Sequence, residues 1–290
     1  MPSLCARKHF TFYARDRVLE LGSRTLLMGI LNVTPDSFSD GGKFLETSAA
    51  VQRAWQIADE GADILDVGGE STRPGSTGIP LEEELHRVVP VLQALAGKYP
   101  LPISIDTSKA EVAKAALELG AALVNNVTSL VGDPGVGMEA ARSQAGVILM
   151  HMRGTPGNMQ RIPPSPDILA ELERWAHEAV ARAQKCGVSS ERILVDPGIG
   201  FGKTTSQNLE ILRNLDRLTT MGFPLLVGTS RKSFIGAILK SPAGERIWGT
   251  GATVAASIIF GAHIVRVHDV AAMREIADVT DAIISERPTE

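Results

Sequence analysis

The sequence predicts an α/β protein, a single (β/α)8 TIM barrel with an N-terminal hairpin extension. Three observations carry this expectation: eight short apolar runs recur, helical patterns separate them, and no linker or shift in composition interrupts the alternation. Residues 1–23 precede the first run and read as an added hairpin, which leaves 24–290 for the barrel.

In chain order the runs are LLMGILN, ADILDVGG, LPISIDT, ALVNNV, GVILMH, RILVDPG, FPLLVGT and HIVRVHD. Most are continuous rather than alternating, as parallel strands covered on both faces are. Among the helices between them, Leu85, Val88, Val89, Leu92 and Leu95 form one apolar stripe over residues 81–96. Ser108 and Glu111 have capping-box spacing, and Gly120 is placed to stop the helix that follows. Residues 166–187 and 206–217 also read as helical, and the segment after the fourth run has room for only a short helix. An open doubly wound sheet is the alternative, but no strand is followed by the spaced glycines of a dinucleotide site; GIGFG after the sixth run lacks the third.

A chain of 290 residues with 44% hydrophobic content can bury a sizeable core, and a net charge of -4 gives no general attraction to nucleic acid. Cys5 and Cys186 make neither a disulfide framework nor a metal-ligand spacing, which suits a reducing compartment. Arg7, Lys8, Arg15, Asp16 and Arg17 interrupt any signal-peptide core, and no apolar stretch reaches the length of a membrane span. A soluble cytoplasmic protein is expected.

In a barrel, chemistry gathers where strands end. Here every run ends in polar groups: Asn32; Asp66 and Glu70; Asp106; Asn125 and Asn126; His151; Asp196; Ser230, Arg231 and Lys232; Arg266 and His268. Each has a plainer reading as a cap, a turn residue or a solvated charge. Arg266 and His268 alternate within one run and so share a face; together they suit an anion, or else Arg266 pairs with a buried carboxylate. Asp106, Asn125 and Asp196 suit a flat ligand with several N–H groups, because a carboxylate accepts paired hydrogen bonds from a guanidine-like edge. Residues 33–44 and 69–79 form two glycine-hinged loops after adjacent strands, and are expected to be open lids that close over a charged ligand.

GILNVTPDSFSDGG, DVGGESTRPG, IDTSK, LMHM, DPGIGFGK, SRKSF and RVHDV, taken together and in this order, resemble the dihydropteroate synthase family of pterin-binding enzymes. The resemblance spans residues 24–275. It implies a transferase of folate biosynthesis and a sulfonamide target, joining 6-hydroxymethyl-7,8-dihydropterin pyrophosphate to 4-aminobenzoate with Mg²⁺ and acting as a homodimer without nucleic-acid or membrane partners. By the same resemblance, Asp106, Asn125, Met150, Asp196, Phe201 and Lys232 hold the pterin, and Asn32, Arg73, Arg266 and His268 the pyrophosphate. Asn32 is implied as the Mg²⁺ ligand, and Phe38, Thr72, Arg73, Pro74 and Ser233 as the aminobenzoate site. Asp36, Asp106 and Lys232 are the implied catalytic residues. One departure is Asn126, where the family often has Asp. Two other readings share the pterin pocket: methyl transfer from a folate to a corrinoid protein, and a non-catalytic pterin-binding relative. Neither needs both the Thr-Arg-Pro-Gly loop and the Arg266–His268 pair.

Overall fold

The computed structural model describes residues 7–34, 42–73 and 75–285, without the side chains of 42–46. Asp36, Phe38, Pro74 and Cys5 therefore lie outside the described residues.

Two strands, β1 (Phe10–Ala14) and β2 (Arg17–Leu21), pair antiparallel as the expected hairpin. Eight parallel strands follow: β3 (Leu26–Asn32), β4 (Ile64–Gly68), β5 (Ile103–Asp106), β6 (Leu123–Asn126), β7 (Gly146–Met150), β8 (Ile193–Asp196), β9 (Leu226–Val227) and β10 (Ile264–Val267). Their order is β8-β7-β6-β5-β4-β3-β10-β9, and a parallel bridge between Val195 and Leu225 joins the two ends of the sheet. β9 is short; before it, Pro224 has no N–H and the Leu225 N–H donates to His263 Nδ1 at 3.1 Å, although the Pro224 carbonyl still accepts from Val195 at 3.1 Å. The helices between strands are α1 (Gly42–Asp59), α2 (Leu81–Leu95), α3 (Ala110–Glu118), α4 (Gly135–Arg142), α5 (Ile168–Lys185), α6 (Thr205–Arg213), α7 (Leu215–Thr219), α8 (Ser233–Leu239) and α9 (Ile247–Ile259), with α10 (Val270–Ile284) closing the ring.

Side chains on each strand alternate between two cores. Leu65, Val67, Ile105, Val124, Val147, Leu149, Val195 and Val265 face outward into the layer shared with the helices. Met28, Ile64, Leu123, Ile148, Leu194, Leu226 and Ile264 fill the lower interior, where Phe12, Ala14 and Leu21 of the hairpin join them. Gly146 makes this possible, since a Cβ there would overlap the Phe12 ring. The barrel is thus plugged by apolar packing at its amino end. One step further up the same inward rows come Asp66, Ser104, Asp106, Asn125, Met150, Asp196 and Arg266.

The Ser108–Glu111 capping box does not form. Ala110 N at the start of α3 instead donates to Asp133 Oδ2 at 2.8 Å, and Thr107 Oγ1 accepts from Lys109 N. A carboxylate from the next β/α unit suits the positive end of the helix better than a neutral hydroxyl. Gly120 does end α3, with φ +102.

Candidate active site

A cavity of about 480 Å³ opens at the carboxyl ends of the strands. Asn32, Thr72, Arg73, Asp106, Asn125, Met150, Asp196, Phe201, Lys232, Ser233, Arg266 and His268 all line it. Every residue that the resemblance assigns to the site, within the described residues, therefore meets in one hollow; of the other strand-end groups, Asp66, Asn126 and His151 do not line it. A second hollow, of about 610 Å³, lies under the hairpin at the other end of the barrel. Its most prominent cation, Arg15, is engaged with the carbonyls of Leu117 and Ala121 at 2.6 and 3.1 Å, at the end of α3.

The floor of the mouth is an ion network. Arg266 donates from Nε to Asp66 Oδ2 at 2.6 Å and from Nη2 to Asp106 Oδ2 at 2.8 Å. Asn125 Nδ2 donates to the same Asp66 oxygen at 3.1 Å. Arg266 thus has the buried carboxylate partners that were the alternative to a free anion site. Strand register explains the meeting: Gly68 pairs with Asp106 and Asp106 with Asn125, and Gly68 leaves space for the Asp106 side chain, which passes 3.4 Å from where a Cβ would stand. Asp66 is wholly buried, and sequence reasoning gave it no role because its partner is 200 positions away.

Burial pushes the Asp106 carboxyl upward; Arg266 opposes this and Asp66 adds to it. Asp196, three strands away on β8 and paired with Met150, is also pushed upward by burial, against the Gly198 N–H that donates to its Oδ1 at 2.7 Å. Lys232 is moved the other way, downward, by burial and by Arg266. Its Nζ sits 3.9 Å from the centre of the Phe201 ring, a cation–π contact that gives the pocket one flat wall. His268 is lowered to about 3 by burial and by Arg266, so it is neutral near pH 7; its Nδ1 is 2.9 Å from Ser230 Oγ. Asp106 and Asp196 line the pocket with Lys232 and Arg266, while Asp66 lies beneath and Lys203 stands behind Asp196, so acids and bases alternate around the ligand space.

The second loop is tied at its base. Lys109 Nζ bridges Glu70, at 2.5 Å, and wholly buried Glu84 of α2, whose other oxygen accepts from Thr107. Arg87 holds the Gly69 carbonyl at 2.8 Å, and Gly75 N donates to Pro156 O at 2.9 Å. The expectation of an open, weakly held loop is not met at these points, because its anchors come from α2 and the fifth β/α segment. Asn126 faces away from the cavity: its amide donates to Thr107 O and accepts from Thr128 Oγ1 and Leu130 N, so it braces a turn.

Mg²⁺ prefers hard oxygen ligands, keeps several waters, and commonly binds through one or two protein groups plus substrate phosphates. The described residues hold no cluster of three or more His, Cys, Asp or Glu that could chelate a metal by themselves. A half-buried Asn32 carboxamide at the rim fits the substrate-borne mode.

Residues 28–268 match the pterin binding enzyme family. A dihydropteroate synthase of Synechocystis sp. is 49% identical over 267 residues, which are 92% of each chain. A Clostridium difficile dihydropteroate synthase crystallised with pteroic acid superposes with TM-score 0.86 at 45% identity, over 91% of this chain and 98% of that one. A Xanthomonas albilineans dihydropteroate synthase with 4-aminobenzoic acid gives TM-score 0.88 at 42% identity, over 96% and 100%. With the strand-end ring of Asp106, Asn125, Asp196 and Lys232 set in an eight-stranded barrel, these likenesses place the chain in the pterin binding enzyme family.

Proposed function

We propose that this chain is a dihydropteroate synthase, condensing 6-hydroxymethyl-7,8-dihydropterin pyrophosphate with 4-aminobenzoate to give 7,8-dihydropteroate and pyrophosphate. The observation that carries the reading is the continuity of two surfaces in one cavity. The deep one is Asp106, Asn125, Asp196 and Lys232 above the Arg266 network; the rim is Asn32, Arg73 and His268.

Asp196 and Asn125 receive the aminopyrimidine edge, and Met150 and Phe201 cover the ring faces. The exocyclic C–O bond breaks with its electron pair leaving on pyrophosphate, and the ring nitrogens share the positive charge left behind. Asp106 and Asp196, held in place by Arg266 and the Gly198 N–H, face that charge without reorganising, which is electrostatic preorganisation. Arg73 and the neutral imidazole of His268 face the departing phosphates, while Arg266 stays between Asp66 and Asp106. Mg²⁺, held by Asn32 and the phosphates, would supply Lewis-acid stabilisation of the leaving group. The 4-aminobenzoate nitrogen is a neutral nucleophile; it attacks the methylene carbon and then loses one proton, so no strong base is required. Thr72, Arg73 and Ser233 are the described groups for its carboxylate end, which is where a sulfonamide would compete.

We read the protein as cytoplasmic and homodimeric. The described residues contain no helix long and apolar enough to cross a membrane. Ile238, Leu239 and Trp248 are exposed on α8 and at the start of α9, Trp248 by 82%, and suit a second copy. Light scattering that gave a monomer at micromolar concentration would remove the dimer. The activity is tested by mixing both substrates with Mg²⁺ and following pyrophosphate and dihydropteroate together. Methyl transfer to a corrinoid acceptor, or binding without turnover, would overturn the assignment.

A further inference from the structure

Lys203 follows the glycine-rich turn after β8, and its ammonium is spent on main chain rather than on a carboxylate. Nζ donates to Gly198 O at 2.8 Å, Phe201 O at 3.1 Å and His151 O at 3.2 Å. Three donors meet three carbonyls, so the ammonium fastens the turn to itself and to the end of β7. Of those carbonyls, one belongs to Phe201, which lines the pterin pocket, and one to Gly198, beside the lining residue Ile199. Gly198 N is the group that donates to Asp196 Oδ1 at 2.7 Å. Phe201 N closes the same turn on Gly198 O at 3.1 Å, and the Phe201 ring is the wall facing Lys232. The third carbonyl, His151 O, is the one a Cβ at Gly198 would overlap, and His151 N donates to Asp196 O at 2.9 Å. The left-handed Gly198, φ +64, lets the turn lie this close to β7, and three carbonyl oxygens then converge on the one donor group that reaches them all, Lys203 Nζ.

We propose that Lys203 is a positioning residue for the pterin: through the carbonyls of Gly198, Phe201 and His151 it fixes both the orientation of the Asp196 carboxylate and the plane of the Phe201 ring. Lys203 lies outside the ring of residues lining the cavity, so it does not touch the ligand. Its effect is selective. The aminobenzoate groups Thr72 and Arg73 belong to the loop after β4, and Ser233 begins α8; neither segment bonds to Lys203.

The inference rests on the pterin reading of the cavity, and the experiment separates the two. Turnover of the unaltered enzyme is measured first, and its absence would remove the functional reading itself. With turnover established, K203M deletes the ammonium while keeping the apolar stem. The KM for the pterin pyrophosphate, and the Kd for bare pterin by calorimetry, should rise at least tenfold. The KM for 4-aminobenzoate should stay within twofold. Equal effects on the two substrates, or a pterin affinity within twofold of the unaltered enzyme, would overturn the proposal. If K203M does not fold, K203Q, which retains two N–H donors, should show the same split at about threefold; no split in K203Q would be equally decisive against it.

Discussion

Asp196 carries two obligations at once. Its Oδ1 accepts from Gly198 N, and burial holds its proton to higher pH than an ordinary carboxylate. Asp196→Asn keeps the shape but turns an acceptor into a donor facing donors. Losing charge-assisted bonds costs about 1.5–3 kcal/mol, so pterin affinity should fall at least tenfold by calorimetry while the urea midpoint barely moves; unchanged affinity would refute the role. The raised carboxyl also fixes a sign for pH. Because the folded-state value lies above the unfolded one, the empty protein loses stability as pH rises through it. Pterin binding, which needs the ionised form, should strengthen over that same interval, above the usual carboxylate range. An Asp196→Asn enzyme should keep only the part of that limb that belongs to Asp106, whose carboxyl burial also raises, and an unchanged limb would assign the whole of it to Asp106. The strand-end position of Asp196, Asp106 and Asn125 was legible from the apolar runs they terminate. A buried carboxylate partner for Arg266 was foreseen as an alternative, but its identity as Asp66 was not, since the two are 200 residues apart and meet only because β4 and β10 both flank β3.

At the scale of elements, the loop after β4 is held from outside. The strands and most helices were readable from continuous apolar runs and from stripes such as Leu85 to Leu95. What holds the loop was not, because Lys109, Glu84 and Glu70 come from three segments, and nothing local marks Glu84, in the first turn of α2, as wholly buried. The cap of α3 failed for the same reason: Asp133, 23 residues on, displaced a plausible local Ser108. The anchor predicts a graded loop. Removing one partner of a buried ion pair typically costs about 3–5 kcal/mol, because the other charge is left uncompensated. Lys109→Met should therefore lower the stability by about 3 kcal/mol or more in urea unfolding. Hydrogen exchange at residues 69–73 should rise in the variant, with exchange in β6 and β7 unaltered. Equal exchange at 69–73 in both proteins would show that Arg87 and the Pro156 contact suffice without Lys109.

The whole molecule divides its labour between its two ends. The inward rows are apolar from Met28 and Ile64 down to the hairpin, and polar from Asp66 and Asp106 upward. Stability and binding are therefore separable along one axis, and Phe12 tests the lower half. It is 1% exposed, seated over Gly146 and packed among Met28, Leu123, Ile148 and Ile264. Phe12→Ala opens a cavity that the surrounding strands cannot collapse into, because their positions are set by ladder bonds on both sides. A buried Phe→Ala change costs about 3–5 kcal/mol, and a shift of that size in the urea midpoint is the expected result. The polar layer above is fixed by different contacts: Arg266 with Asp66 and Asp106, Asp196 with Gly198, and the strand register itself. The KM values for both substrates should therefore stay within about twofold at temperatures where the variant is folded. A raised pterin KM without loss of stability would mean that the hairpin plug sets the shape of the mouth, and the separation of the two ends would have to be abandoned.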